Sequence, residues 1–255
     1  MNKRLKGMIR NLLPRTIRHH RILGGFIRGG KIVTSWHDYP AAILGRTERP
    51  LLAWFSKNVH QGETWLDVGA HYGYTAIALC KLVGAQGRVF AFEPLVSTAG
   101  CIGQARVLNE LTQLSVVPIA LGSGSDFSTN RMFITRGMID STLRDRRGME
   151  ADFLVSRLDW LWPKICGADD QIHGIKIDVQ GMEIDVLEGM AEVVRLYRPK
   201  LLVELHEGVS RERVLEIIAS HGYALPGVAI EPGPGESTPV YTNDRTYLFT
   251  STSLS

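Results

Sequence analysis

Cysteine is scarce: Cys80, Cys101 and Cys166 are the only three in 255 residues, and they lie far apart with no C-x-x-C spacing. An odd, scattered set argues against a disulfide framework or a cysteine zinc site and reads as buried thiols of a reducing cytoplasm. No apolar run approaches the roughly 20 residues needed to cross a bilayer. Arg and His interrupt every apolar stretch of the amino terminus, so the pattern of a secretory signal is missing as well. Carboxylates are absent from residues 1–37; the first is Asp38. Nine Lys or Arg fall within residues 1–31, whereas the rest of the chain carries 20 basic residues against 26 acidic ones. A basic segment on an acidic body predicts either contact with a polyanion, such as an anionic membrane surface, or a solvated tail. A cytoplasmic protein, peripheral to the membrane in the first case, is expected. There is no internal repeat and no low-complexity tract.

What is present is the alternation of an α/β domain, and the length suits one such domain better than two. Residues 1–60 are expected as a basic segment with short helices, one or two over 8–28 and another over 41–59 interrupted near Pro50. The domain proper is placed at 61–255. Strands are predicted at Trp65–Ala70, Gly87–Glu93, Leu114–Leu121, from Gly174, and at Lys200–Leu205, with a closing pair at 223–230 and 244–250. Helices are predicted at Tyr74–Val83, 97–109, Met182–Leu196 and Arg211–Ser220. Residues 122–155 read as an irregular substrate-covering insertion or hairpin, in which Arg131, Arg136, Arg144, Arg146 and Arg147 either clamp an acidic group or are merely solvated. The alternation gives a mostly parallel, doubly wound sheet with helices on both faces.

The most informative stretch is Thr64-Trp-Leu-Asp67-Val-Gly69-Ala-His71-Tyr-Gly73-Tyr74-Thr75, with Glu93 twenty residues after Gly73. It reads as strand, glycine turn and helix start, followed by a second strand that ends in a carboxylate suited to ribose hydroxyls. A dinucleotide fingerprint with its second glycine at Gly69 would need glycine at 67 and 72, where the chain has Asp67 and Tyr72. A carboxylate at the strand end suits a ligand with an ammonium group, so a methyl donor fits better than a nicotinamide dinucleotide.

Four further segments follow in order: Phe92-Glu93-Pro94, Ser156-Arg-Leu158-Asp159, Ile175-Lys176-Ile-Asp178-Val-Gln180-Gly181-Met-Glu183-Ile-Asp-Val-Leu187-Glu-Gly189, and Arg198-Pro199-Lys-Leu-Leu-Val-Glu204. Together with the glycine turn they resemble the FkbM family of S-adenosylmethionine-dependent methyltransferases over about residues 61–208. The resemblance implies a Rossmann-like, seven-stranded sheet with an antiparallel last strand, S-adenosylmethionine as cofactor, and O-methylation of sugars, glycolipids or related metabolites. The chain departs from the family's usual pattern at Gln180, where relatives carry Glu, and at His71, where they often carry Asn.

Candidate donor-binding residues are Asp67, Gly69, His71, Gly73, Tyr74, Glu93 and Asp178. The alternative for Asp178 is a cap for the following helix, and Glu183 reads as a first-turn acid favoured by the helix dipole. Glu204 and His206 are two apart on one strand and share a face. His206, Asp178 and Glu204 are therefore the candidate catalytic residues, with the imidazole either a general base tuned by its neighbours or a histidine bonded in the strand-end loop. His71 is the competing base. The remaining histidines show no ligand spacing, so no metal is expected. Trp160 and Trp162 read as core packing before sugar stacking. The expected acceptor is a small molecule or glycan. Two other readings stay open: a catalytically inactive binding subunit, suggested by Gln180, and a nucleic-acid methyltransferase. The second lacks the N/D-P-P-[FY] signature, so no nucleic acid is expected. Oligomeric state is open.

Overall fold

The computed structural model describes residues 12–124, 127–135, 138–140, 149–167 and 170–252. Its centre is β3 (Thr64–Val68), every residue of which is buried. Before it come a hairpin of β1 (Arg18–Arg21) and β2 (Lys31–Thr34), then α1 (Pro40–Ile43) and α2 (Arg49–Asn58). After it the chain runs through α3 (Tyr74–Val83), β4 (Arg88–Phe92), α4 (Val96–Leu108) and β5 (Leu114–Val117). An excursion through β6 (Ala120–Leu121), β7 (Phe127–Thr135), β8 (Met138–Asp140) and β9 (Met149–Ser156) leads to α5 (Leu158–Ile165). The chain then forms β10 (Gly174–Ile177), α6 (Glu183–Glu188), α7 (Ala191–Tyr197), β11 (Lys200–Leu205), α8 (Arg211–Ser220), β12 (Val228–Ala229) and β13 (Arg245–Phe249).

The main sheet has seven strands in the order β12-β13-β11-β10-β3-β4-β5. β11, β10, β3, β4 and β5 are mutually parallel, and β13 runs antiparallel between β11 and β12. From β3 the chain first winds outward through β4 and β5, then returns to β10 on the other side. The resulting switch point lies at the carboxyl ends of β3 and β10, where open α/β sheets leave a crevice. Apolar clusters cover both faces, one built on Leu66, Phe90, Ile175 and Val203, the other on Phe55, Trp65, Leu79 and Leu202.

Several local expectations are corrected. In place of helices over the described part of 8–28 there is the β1–β2 hairpin. Ile22, Ile32 and Val33 are buried against Tyr74, Ile77 and Ala105 of α3 and α4, and this tertiary contact overrides the local pattern. Residues from Ile22 onward thus share a core with the domain, and no break in packing marks the boundary drawn at 60. Arg15, Arg18, Arg21, Arg28 and Lys31 are exposed, while Lys3, Arg4, Lys6 and Arg10 lie outside the described residues. The strand expected at Leu114–Leu121 splits at Pro118: β5 stays in the main sheet and β6 joins β9 in a second, four-stranded sheet ordered β6-β9-β7-β8. That sheet occupies the insertion. The side chains of its five arginines lie outside the described residues. The helix expected over Met182–Leu196 breaks at Gly189, whose carbonyl accepts from Asp159 N–H at 3.1 Å. A Cβ on Gly189 would stand 1.9 Å from the Gly122 carbonyl. Trp162 is buried edge-on to Phe90 at 5.1 Å, and Trp160 packs beside the core under the Lys164 ammonium. No helix among the described residues is long and apolar enough to cross a membrane.

Candidate active site

A cleft of about 430 Å³ opens at the switch point, and Gly69 and Ala70 form part of its wall. Gly69 has φ of 83°, and a Cβ there would stand 1.9 Å from the carbonyl oxygen of Asp178 at the end of the adjoining strand. Only glycine lets the two strand ends approach this closely. The Gly69 and Ala70 N–H groups donate to Phe92 O at 3.0 Å, which ties the turn to the end of β4. His71 is left-handed (φ 51°), and its N–H donates to Glu93 Oε2 at 2.9 Å, while Leu95 N–H donates to Oε1 at 3.1 Å. Glu93 is therefore fixed at both oxygens in the cleft wall. Burial pushes its carboxyl up to about 7 against the opposing pull of the two N–H bonds.

Three of the expected donor residues, Gly69, His71 and Tyr74, line the cleft beside Glu93 and Asp178. Asp67 and Gly73 do not. Asp67 is the direct cross-strand partner of Lys176, so both side chains emerge on the same face and meet. Its fully buried carboxylate accepts from Lys176 Nζ at 3.1 Å and from Thr75 Oγ1 at 2.5 Å. It is fully buried and outside the cleft lining, so it supports the site from behind rather than facing a ligand. Gly73 (φ 80°) caps α3, and its Cα faces Ile102, whose side-chain carbons would lie 3.1 Å from a Cβ.

At the other wall stand Asp178, Glu204 and Gln180. His206 follows β11 and is 3% exposed; it sits behind these three and does not itself line the cleft. Its Nδ1 lies 2.7 Å from Oε1 of Glu183, a fully buried residue. A carboxylate only accepts, so Nδ1 carries the proton and Nε2 turns toward the cleft wall. Around Nε2 are the Gln180 amide nitrogen at 2.8 Å, Asp178 Oδ1 at 3.4 Å and Glu204 Oε1 at 3.6 Å. Glu183 is a first-turn acid of α6, as expected, and in addition makes a specific bond to His206. Burial disfavours a charged His206, but the Glu183 bond and the Asp178 charge outweigh it and raise the imidazole pKa. Burial, then the Asp178 and Glu48 charges, push Glu204 up to about 8. Asp178 is half-buried; desolvation disfavours its charge, yet Lys176 and His206 hold it below the usual carboxylate range. Lys176 Nζ bridges Asp67 and Asp178 at 3.1 and 3.3 Å; the second bond is what fixes Asp178 at the strand end.

The sequence did not reveal the segment over the cleft: Asp38, Tyr39, Thr47 and Glu48, all before β3, contribute to its lining. The Tyr39 ring lies 5.0 Å from the His71 ring. One signal was available, since Asp38 is the first acid after a run of basic residues. Lys176 had a clearer one: a lysine between two isoleucines of a central strand requires a buried counter-ion.

These features fit an adenosyl sulfonium compound: a glycine turn that leaves backbone at the cleft wall, the Glu93 carboxyl beside it, and further acids (Asp38, Glu48) suited to its positive charges. A family model described as the methyltransferase FkbM domain matches residues 67–225. No curated protein sequence matches the chain. Among solved structures, Aeropyrum pernix fibrillarin in complex with natively bound S-adenosyl-L-methionine is 12% identical, with 92% of this chain and 88% of that one covered at a TM-score of 0.50. Methyltransferase FkbM from Methylobacillus flagellatus is 16% identical, with 83% of this chain and 53% of that one covered at 0.48. Precorrin-6y C5,15-methyltransferase from Geobacter metallireducens is 13% identical, with 80% and 89% covered at 0.47.

Proposed function

Because the chain belongs to the FkbM family of S-adenosylmethionine-dependent methyltransferases, we propose that it O-methylates a hydroxyl of a saccharide, glycolipid or related metabolite. The observation that carries this reading is the pinned carboxylate of Glu93 beside the Gly69 turn, in one cleft with Asp178 and Glu204. Bound S-adenosylmethionine supplies a methyl already activated for displacement, so the protein's task is alignment and management of one proton. Glu93 accepts from the ribose hydroxyls, and the Gly69 turn lets backbone lie against the donor. Asp38 and Glu48 offset the donor's positive charge.

The acceptor oxygen forms the new C–O bond as the electron pair of the C–S bond returns to sulfur, and the hydroxyl proton must leave. An alcohol is a weak nucleophile at neutral pH, so its oxygen needs activation. We assign this to Asp178, Glu204 and His206, the first two on the cleft wall and the third directly behind them. The test is transfer of a tritiated methyl from S-adenosylmethionine to hydroxylated acceptors in a cell extract. Label in an alkali-stable ether product supports the reading. Label confined to ester or amine products, or no label while the donor binds, overturns it.

A further inference from the structure

We propose that Asp178, Glu204 and His206 form a divalent-cation site in the wall of the cleft, with His206 Nε2 and one oxygen from each carboxylate as ligands. The location of this site stands on geometry alone; what the ion does rests on the methyltransferase reading. The three donor atoms all lie within 4.8 Å of one another. Nε2 is 3.4 Å from Asp178 Oδ1 and 3.6 Å from Glu204 Oε1. Ligands about 2.1 Å from one ion sit about 3.0–3.4 Å apart when adjacent, so small side-chain rotations close the shell.

His206 is prepared as a ligand. Glu183 holds the Nδ1 proton at 2.7 Å and is itself anchored by Gly181 N–H at 3.1 Å. The Nε2 lone pair is thereby directed at two carboxylates, the carboxylate–histidine–metal arrangement of protein metal sites. Gln180 places its amide 2.8 Å from Nε2 and 3.4 Å from Asp178 Oδ1. A half-turn of that amide would present Oε1 to an ion as a further oxygen donor.

One imidazole nitrogen with two or three oxygens suits a first-row ion such as Mn²⁺ better than Ca²⁺, which takes an all-oxygen shell. An open position toward the cleft would hold the acceptor oxygen and acidify its hydroxyl, the proton leaving to cleft water.

The test is titration of the full chain, freed of metal by a chelator, with Mn²⁺ followed by electron paramagnetic resonance. One saturable site is expected, weakened ~100-fold or more by His206→Ala or Glu204→Gln and ~10–100-fold by Glu183→Gln, the range for a residue that orients a ligand. S-adenosylmethionine binding, measured on the same samples by calorimetry, checks that each variant is folded and tests the donor reading separately. No saturable Mn²⁺ binding at millimolar concentration, or equal affinity in all variants, would overturn the proposal while the donor still binds. Conversely, Mn²⁺ binding as described without donor binding would uphold the cation site and remove the methyltransferase reading.

Discussion

The imidazole of His206 is bonded through Nδ1 to Oε1 of Glu183 at 2.7 Å, and neither residue exposes more than 3% of its surface. The bond joins the start of α6 to the end of β11 and fixes which ring nitrogen faces the cleft. Glu183→Gln is predicted to lower turnover by ~10–100-fold with donor affinity unchanged. Steady-state kinetics paired with calorimetry checks this. An equal fall in donor affinity would place Glu183 in the donor site.

His206→Ala is predicted to be more severe, lowering turnover by ~10²–10⁴-fold while the donor binds as before. Full activity in this variant would exclude the cluster from hydroxyl activation and bring His71 forward.

Lys176 and Asp67 face each other across β10 and β3 with 3% and no side-chain exposure. Lys176→Met strands a buried carboxylate and should cost about 3–5 kcal/mol of stability, read from chemical denaturation. Adding Asp67→Asn should recover part of that loss, because the fully buried charge at Asp67 is then gone, Thr75 still has an oxygen to bond, and only Asp178, which keeps His206 nearby, has lost its ammonium. Strictly additive losses would mean that the two residues act independently.

Gly69→Ala is predicted to cost at least ~3 kcal/mol and to abolish donor binding. A left-handed alanine is strained by about 1–2 kcal/mol, and its Cβ at 1.9 Å from the Asp178 carbonyl forces the strand ends apart. A thermal melt near that of the parent protein would show that the turn can relax.

Donor affinity should depend on pH through Glu93, whose carboxyl is raised to about 7. Below that value the group is protonated and loses acceptor capacity; above it both oxygens accept. Affinity should therefore rise about tenfold per pH unit up to 7 and level off above it. Glu93→Gln, which cannot titrate, should remove the slope; a slope retained in that variant would assign it to another group.

Much of the scaffold was legible because its signals are local. Buried strands bounded by glycine or proline, and the run from Arg211 to Ser220 capped by Ser210, needed no tertiary information. Glu93, singled out by its spacing alone, lies in the cleft wall. The losses came where a distant partner decides. Asp67 looked like a ligand until its register opposite Lys176 was known, and the bond that Glu183, a first-turn acid, makes to His206 comes from 23 positions away. The amino-terminal hairpin follows from apolar contacts with α3 and α4 that the spacing of residues 8–28 does not encode. The contribution of Asp38, Tyr39 and Glu48 to the cleft was hidden for the same reason.

Calorimetric titration of S-adenosylmethionine into the parent chain and Glu93→Ala reads donor binding at the cleft itself. One saturable site is predicted in the parent. Loss of two charge-assisted hydrogen bonds should weaken it by about 3 kcal/mol, or ~100-fold, in the variant. Equal affinity in the two proteins, or no binding to the parent, would contradict the account.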